Sequence, residues 1–153
     1  MLQFEGEESF AVPRAELFNC LTDLVFMEKC IPDLDSATHV GPGKMVCHVR
    51  PGFSFVRGRL EITLEVTETN SPDSAKMRVH GKGIGNEVTV ETQLRLLDEE
   101  GGRSTKLQWS AEITKLGGLL KSVSKGLIQA AAKKVVNDSW ASLRKELRLS
   151  EGP

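Results

Sequence analysis

Tyrosine is missing from this chain altogether, and aromatic residues make up only 5% of it. A phenolic acid or base is thereby excluded, and few flat side chains remain on which nucleic-acid bases could stack. The net charge is −1, so the chain as a whole holds no long-range attraction for a polyanion, and no nucleic-acid partner is expected. No apolar run approaches the ~20 residues that a spanning helix needs. Met1 to Glu5 already alternates like a strand, so no export leader is expected. Cys20, Cys30 and Cys47 form neither a CxxC pair nor an even framework, and read as reduced, mostly buried thiols of a cytoplasmic protein. Together with His39, His48 and His80 they show no zinc-like spacing, so neither a metal nor another cofactor is expected. The histidines lie beside a turn or out of phase with the apolar residues of their strands, which makes them surface residues.

What remains suits one globular domain over residues 1–153, 39% hydrophobic and 27% charged, large enough to bury roughly 70% of its unfolded surface. The last stretch, Gly117 to Leu149, lacks proline and is dominated by good helix formers. Leu116, Leu120, Val123, Leu127 and Ala131 recur at three- and four-residue steps, predicting one apolar helix face. Gly117-Gly118 would break the chain before that helix and Gly152-Pro153 would stop it, giving about 30 residues and roughly 45 Å. It is basic, with Lys121, Lys125, Lys133, Lys134, Arg144, Lys145 and Arg148 against Asp138 and Glu146. A solvated helix face and a surface for anionic lipid or an acidic partner are both compatible with that pattern.

Upstream, alternation predicts strands. Leu2, Phe4, Gly6, Glu8 and Phe10 share one face of the first, where Glu8 stands either at a cavity mouth or in an ion pair. Pro13 opens a short helix carrying Leu17, Phe18 and Leu21, and Asp23 caps a second, Phe26 to Cys30, which Pro32 stops. Six more strands follow, joined by turn signals such as Gly41-Pro42-Gly43, Asn70-Ser71-Pro72-Asp73 and Glu99-Glu100-Gly101-Gly102. Short connections imply an antiparallel sheet with one covered face. The predicted architecture is α+β: a curved seven-stranded antiparallel sheet around one long C-terminal helix, with two short helices after the first strand. Gly81-Lys82-Gly83-Ile84-Gly85 lies between two strands and no helix follows it, so it reads as backbone relief rather than a phosphate loop.

This order of elements resembles the helix-grip fold of the START and Bet v 1-like superfamily (SRPBCC). Leu21-Thr22-Asp23 with Cys30-Ile31-Pro32-Asp33, the glycines of 81–85, Gly101 to Thr105, Gly117-Gly118-Leu119 and Leu127 to Lys134 resemble one branch of it over essentially the whole chain. That branch is CoxG, the G subunit of carbon monoxide dehydrogenase. Asp33 stands where that family usually has glycine. The chain also closes at Pro153 without the linker and tail that some members carry for the membrane, so constitutive anchoring is not expected.

A helix gripped by a concave sheet would enclose an apolar cavity. Its expected lining is Leu60, Ile62, Met77, Val79, Val90 and Leu94 from the strands, with Trp109, Leu120 and Leu127 beyond them and Phe26 and Cys30 guarding the mouth. The resemblance implies a non-enzymatic carrier of a lipid or isoprenoid quinone, handed to a molybdenum hydroxylase of the carbon monoxide dehydrogenase type. Two other readings stay open: an assembly module with a collapsed cavity, and a cyclase or hydrolase, against which the scarcity of inward His, Asp and Glu argues. Val136, Trp140, Leu143 and Leu147 fall half a turn from the main stripe. They predict either packing against the early helices or, with Lys133 and Arg144, an exposed patch for a partner or a transient contact with the inner membrane face.

Overall fold

A computed structural model of the chain describes residues 2–53, 56 and 58–148. Met1, Leu149 and the expected helix stop at Gly152-Pro153 lie outside the described residues.

Seven strands form one antiparallel sheet: β1 (Leu2–Phe10), β2 (Leu34–Gly41), β3 (Lys44–Val49), β4 (Leu60–Asn70), β5 (Ser74–Gly83), β6 (Asn86–Glu99) and β7 (Ser104–Gly118). Their spatial order is β1-β7-β6-β5-β4-β3-β2. Between β1 and β2 run two short helices, α1 (Arg14–Thr22) and α2 (Leu24–Glu28), which carry the chain from one sheet edge to the other. Asp23 caps α2 as its type predicts, accepting a hydrogen bond from the Val25 N–H at 3.0 Å. Helix α2 starts earlier than expected and ends at Glu28, leaving Cys30 in the following turn. The sheet bends where β4 and β7 each carry one residue too many. Thr67 and Thr114 are skipped by the register, and their hydroxyls bond the carbonyls of Lys76 and Thr89 at 3.2 and 3.4 Å.

The C-terminal helix α3 spans Lys125–Glu146, 22 residues rather than about 30. Gly117-Gly118 do not break the chain before a helix. They finish β7, paired with Glu87 and Asn86, and a single 3₁₀ turn, Leu119–Ser122, follows. Val123 is extended, and the Ser124 hydroxyl then caps α3 by accepting from the Leu127 N–H. Leu116, Leu120 and Val123 therefore sit on a strand end and a turn, and their helical spacing is a coincidence of two other geometries. The inner stripe of α3 is Ile128, Ala132, Val136, Trp140, Leu143 and Leu147, with Ile128 and Leu143 buried.

Side chains on the inner face of the sheet gather into two separate cores. The larger joins α1, α2 and the late turns of α3 to the sheet through Leu17, Phe18, Leu21, Met77, Leu96 and Leu143, with Trp109, Trp140 and Leu147 packed on it. The smaller, around Leu2, Ile113, Leu120 and Ile128, closes the other end. The early helices are thus the floor of one core, as their buried leucines require.

Candidate functional site: a half-filled bowl between sheet and helix

Register alone assembles most of the expected lining. Ile62 faces Gly81 across the β4–β5 pair, Val79 stands opposite both Leu64 and Val90, and Leu94 opposite both Ala75 and Trp109. Directly paired residues share a face, so Leu60, Ile62, Met77, Val79, Val90, Leu94 and Trp109 all look toward α3. Their burial differs along that face. Met77 and Leu94 are buried at the α1–α2 end, and Leu120 is buried in the smaller core. Between the two ends, Leu60, Ile62, Val79, Thr92 and Ala111 are only half-buried, although they point inward. Opposite this band α3 offers Ala132 and Val136, the smallest residues of its stripe, and both are half-buried too. The ends of the grip are buried in the two cores, and its middle is only half-buried.

Three polar atoms meet this apolar interior without a hydrogen-bond partner among the described residues: Asn86 Oδ1, Trp109 Nε1 and Trp140 Nε1. The two indole rings lie 6.1 Å apart between centroids, and Phe10 packs edge-on to Trp140 at the same spacing. Trp109 can lie flat on β1 because residue 6 is glycine; a Cβ there would come within 2.9 Å of its ring. Asn86 has the strand phase of Val88 and Val90 and is 7% exposed. That phase makes it an inward polar residue at the very start of β6.

Several expected site residues stand elsewhere. Leu127 is not in the bowl: it is 52% exposed in the first turn of α3, and Ile128 takes the inward place. Cys30 is sealed in the larger core and Phe26 packs against it, so neither guards a mouth. The late-helix strip is no open patch either. Leu143 is buried, and Trp140 and Leu147 pack on the same core as the early helices, which is the packing alternative the half-turn offset allowed. Arg144 is turned inward as well. Its guanidinium pairs with Glu8 at 3.0 Å, donates to the Ser9 carbonyl at 3.0 Å and lies 4.5 Å over the Phe10 ring. Of that group only Lys133 is fully at the surface.

Ionisable chemistry in the interior is muted. Burial, with Glu146 adding to it, pushes the Cys30 thiol up to about 11, and burial with Glu28 does the same for Cys47. Such thiols are protonated and inert at neutral pH. His39 contacts Glu28 at 2.8 Å, His48 bonds Ser36 and His80 bonds Thr89, each on a different strand. On the outer face of the sheet, away from α3, lies an open polar depression of about 780 Å³, flanked by Glu5, Glu7, Lys76, Gln93, Arg95 and Gln108.

Solved structures define the class. A conserved protein from Geobacillus kaustophilus superposes with a TM-score of 0.86 at 23% identity, covering 96% of this chain and 95% of the other. A START superfamily protein from Mycobacterium smegmatis gives 0.70 at 11% identity over 96% of both chains. A protein from Thermus thermophilus gives 0.67 at 12%, over 95% of this chain and 96% of its own. The fold is therefore the START-like helix grip, SRPBCC. Within that class the CoxG family, named for the G subunit of carbon monoxide dehydrogenase, matches residues 6–148, and the chain belongs to it. No curated protein sequence matches the chain.

Proposed function

We propose that the protein binds a hydrophobic small molecule, of the lipid or isoprenoid-quinone class, in the bowl between the sheet and α3, without transforming it. The observation that supports this reading is the half-buried band of Leu60, Ile62, Val79 and Ala111 facing Ala132 and Val136 between two filled cores. Covering such a band contributes about 25 cal/mol per Å² of apolar surface removed from water. Thr92, half-buried and in the inward phase of the same band, adds a hydroxyl to this apolar wall, and a few polar points among apolar ones are the usual make-up of a small-molecule site. The family's name links it to carbon monoxide dehydrogenase, and in this reading the bound molecule serves an enzyme of that molybdenum hydroxylase type. The protein then works in the cytoplasm and meets the membrane only in passing; no described helix is long and apolar enough to cross one.

Native mass spectrometry of the purified chain, before and after organic extraction, tests the reading. The expected result is an apolar molecule that leaves on extraction and is absent from a Val79→Trp variant, whose indole would occupy the middle of the bowl. A protein that is empty as purified and takes up neither a fatty acid nor a quinone would replace the carrier with an assembly module.

A further inference from the structure

The end of the molecule beside the β5–β6 hairpin is apolar where a soluble protein has reason to be polar. Its two-residue tip is Ile84-Gly85, and Ile84 is 78% exposed. Tight hairpin tips ordinarily carry Asn, Asp or Gly at that place. Leu119, 65% exposed, is strapped beside it: its N–H donates to the Gly85 carbonyl at 2.8 Å. A Cβ on Gly85 would touch the Leu119 side chain at 3.4 Å. Leu127 adds a third exposed apolar side chain at the start of α3. Single exposed hydrophobics are ordinary, but two held rigidly together on a protruding turn are not.

Lysines outnumber carboxylates around them. Lys82 precedes the tip, Lys121 follows Leu119, and Lys125 opens α3; all three are exposed and make no ion pair among the described residues. Lys115 pairs with the nearby Glu87 at 3.1 Å, and Glu61, across from Lys82 in the β4–β5 pair, contacts His48 at 3.4 Å, so both carboxylates beside the hairpin have other partners. The whole chain carries a net charge of −1, and the excess of lysine here is therefore local. An apolar wedge inside a ring of lysines complements a lipid surface with anionic headgroups: the wedge enters the acyl boundary and the ammonium groups meet phosphates.

We propose that the Ile84–Leu119 tip docks the protein on an anionic membrane surface. The half-buried band reaches this hairpin, since Leu60 lies against Gly83. Docking here would bring that band to the lipid, but it does not depend on what the bowl holds. Vesicle binding tests the tip and extraction tests the bowl, so either can fail alone.

The experiment is flotation of the full chain with vesicles of phosphatidylcholine alone or mixed with phosphatidylglycerol. Binding is expected only to the mixed vesicles, and added salt should release it. The pair Ile84→Ser and Leu119→Ser, and separately the pair Lys82→Glu and Lys121→Glu, should each lower the partition coefficient by roughly tenfold or more. All four side chains are exposed, so thermal melting should not move. Lys133→Glu on the side of α3 should leave binding unchanged. The proposal is overturned if the wild type ignores anionic vesicles, if both tip variants bind like it, or if Lys133→Glu abolishes binding as well. It is equally overturned if sedimentation velocity shows a dimer that the Ile84→Ser variant dissolves, because a second copy would then own the tip.

Discussion

Arg144 ties the late turns of α3 to the edge strand β1, and its removal should loosen the grip by a calculable amount. Its guanidinium has three partners: the Glu8 carboxylate at 3.0 Å, the Ser9 carbonyl at 3.0 Å and the Phe10 ring at 4.5 Å. The side chains of the ion pair are 15% and 29% exposed, so water screens the pair only partly. Pairs at the surface are worth about 0.2–1 kcal/mol, and this one belongs near the top of that range. The ring contact adds about 0.5–1 kcal/mol and the bond to a carbonyl about 1 kcal/mol. Arg144→Met, which keeps the apolar stem, should therefore cost about 2–3 kcal/mol, whereas Glu8→Gln should cost only about 1 kcal/mol. Urea denaturation of the two single variants and the double variant closes a thermodynamic cycle. The coupling should come out near the ~1 kcal/mol of the ion pair and shrink as salt is added. A coupling indistinguishable from zero, or a Glu8→Gln variant more stable than the parent, would refute the reasoning. Glu8 would then be an unpaired carboxylate at the rim of the bowl.

Gly6→Ala should destabilise by about 1–3 kcal/mol, because its Cβ would meet Trp109 at 2.9 Å, and that ring is also packed against Trp140, 6.1 Å away between centroids. Adding Trp109→Leu should recover much of the loss in urea melts, and no recovery would show that the ring contact is not the cause. The buried thiols predict an alkaline limit. Folding raises Cys30 and Cys47 from about 9 to about 11, so in that window the unfolded chain has already released protons that the folded chain keeps. The contribution is fully present below pH 9 and is lost as pH rises through 11, so the urea midpoint should fall over that range. Replacing Cys47 by Val should make the fall shallower; an unchanged slope would exclude the thiols, and tyrosine is absent to confuse the titration.

How far the chain could be read in advance follows from the range of the forces involved. Strand phase is local. Leu60, Ile62, Leu64 and Val66 alternate with charged and polar neighbours, and the observed register puts them on the inner face together with Met77, Val79, Val90 and Leu94. The Asp23 cap and the turns at 70–73 and 99–102 are likewise set by side chains acting within a few residues. Helical spacing at Leu116, Leu120 and Val123 does not mark the start of α3, because β6 holds Gly117 and Gly118 in strand pairing. Partners about thirty residues away in the chain decided between helix and strand there.

The site divides along the same line. Composition and alternation by themselves determined an antiparallel sheet with an apolar inner face and a terminal helix to cover it. Only the tertiary structure decided which part of that face is filled. Trp140, Leu143 and Leu147 join the core of the early helices, while Ala132, Val136, Ile62 and Val79 belong to neither core and stay half-buried. Hydrophobic residues are alike in sequence whether they touch a neighbour or face a gap. The difference is distance across the fold, and that is a property of how the elements dock.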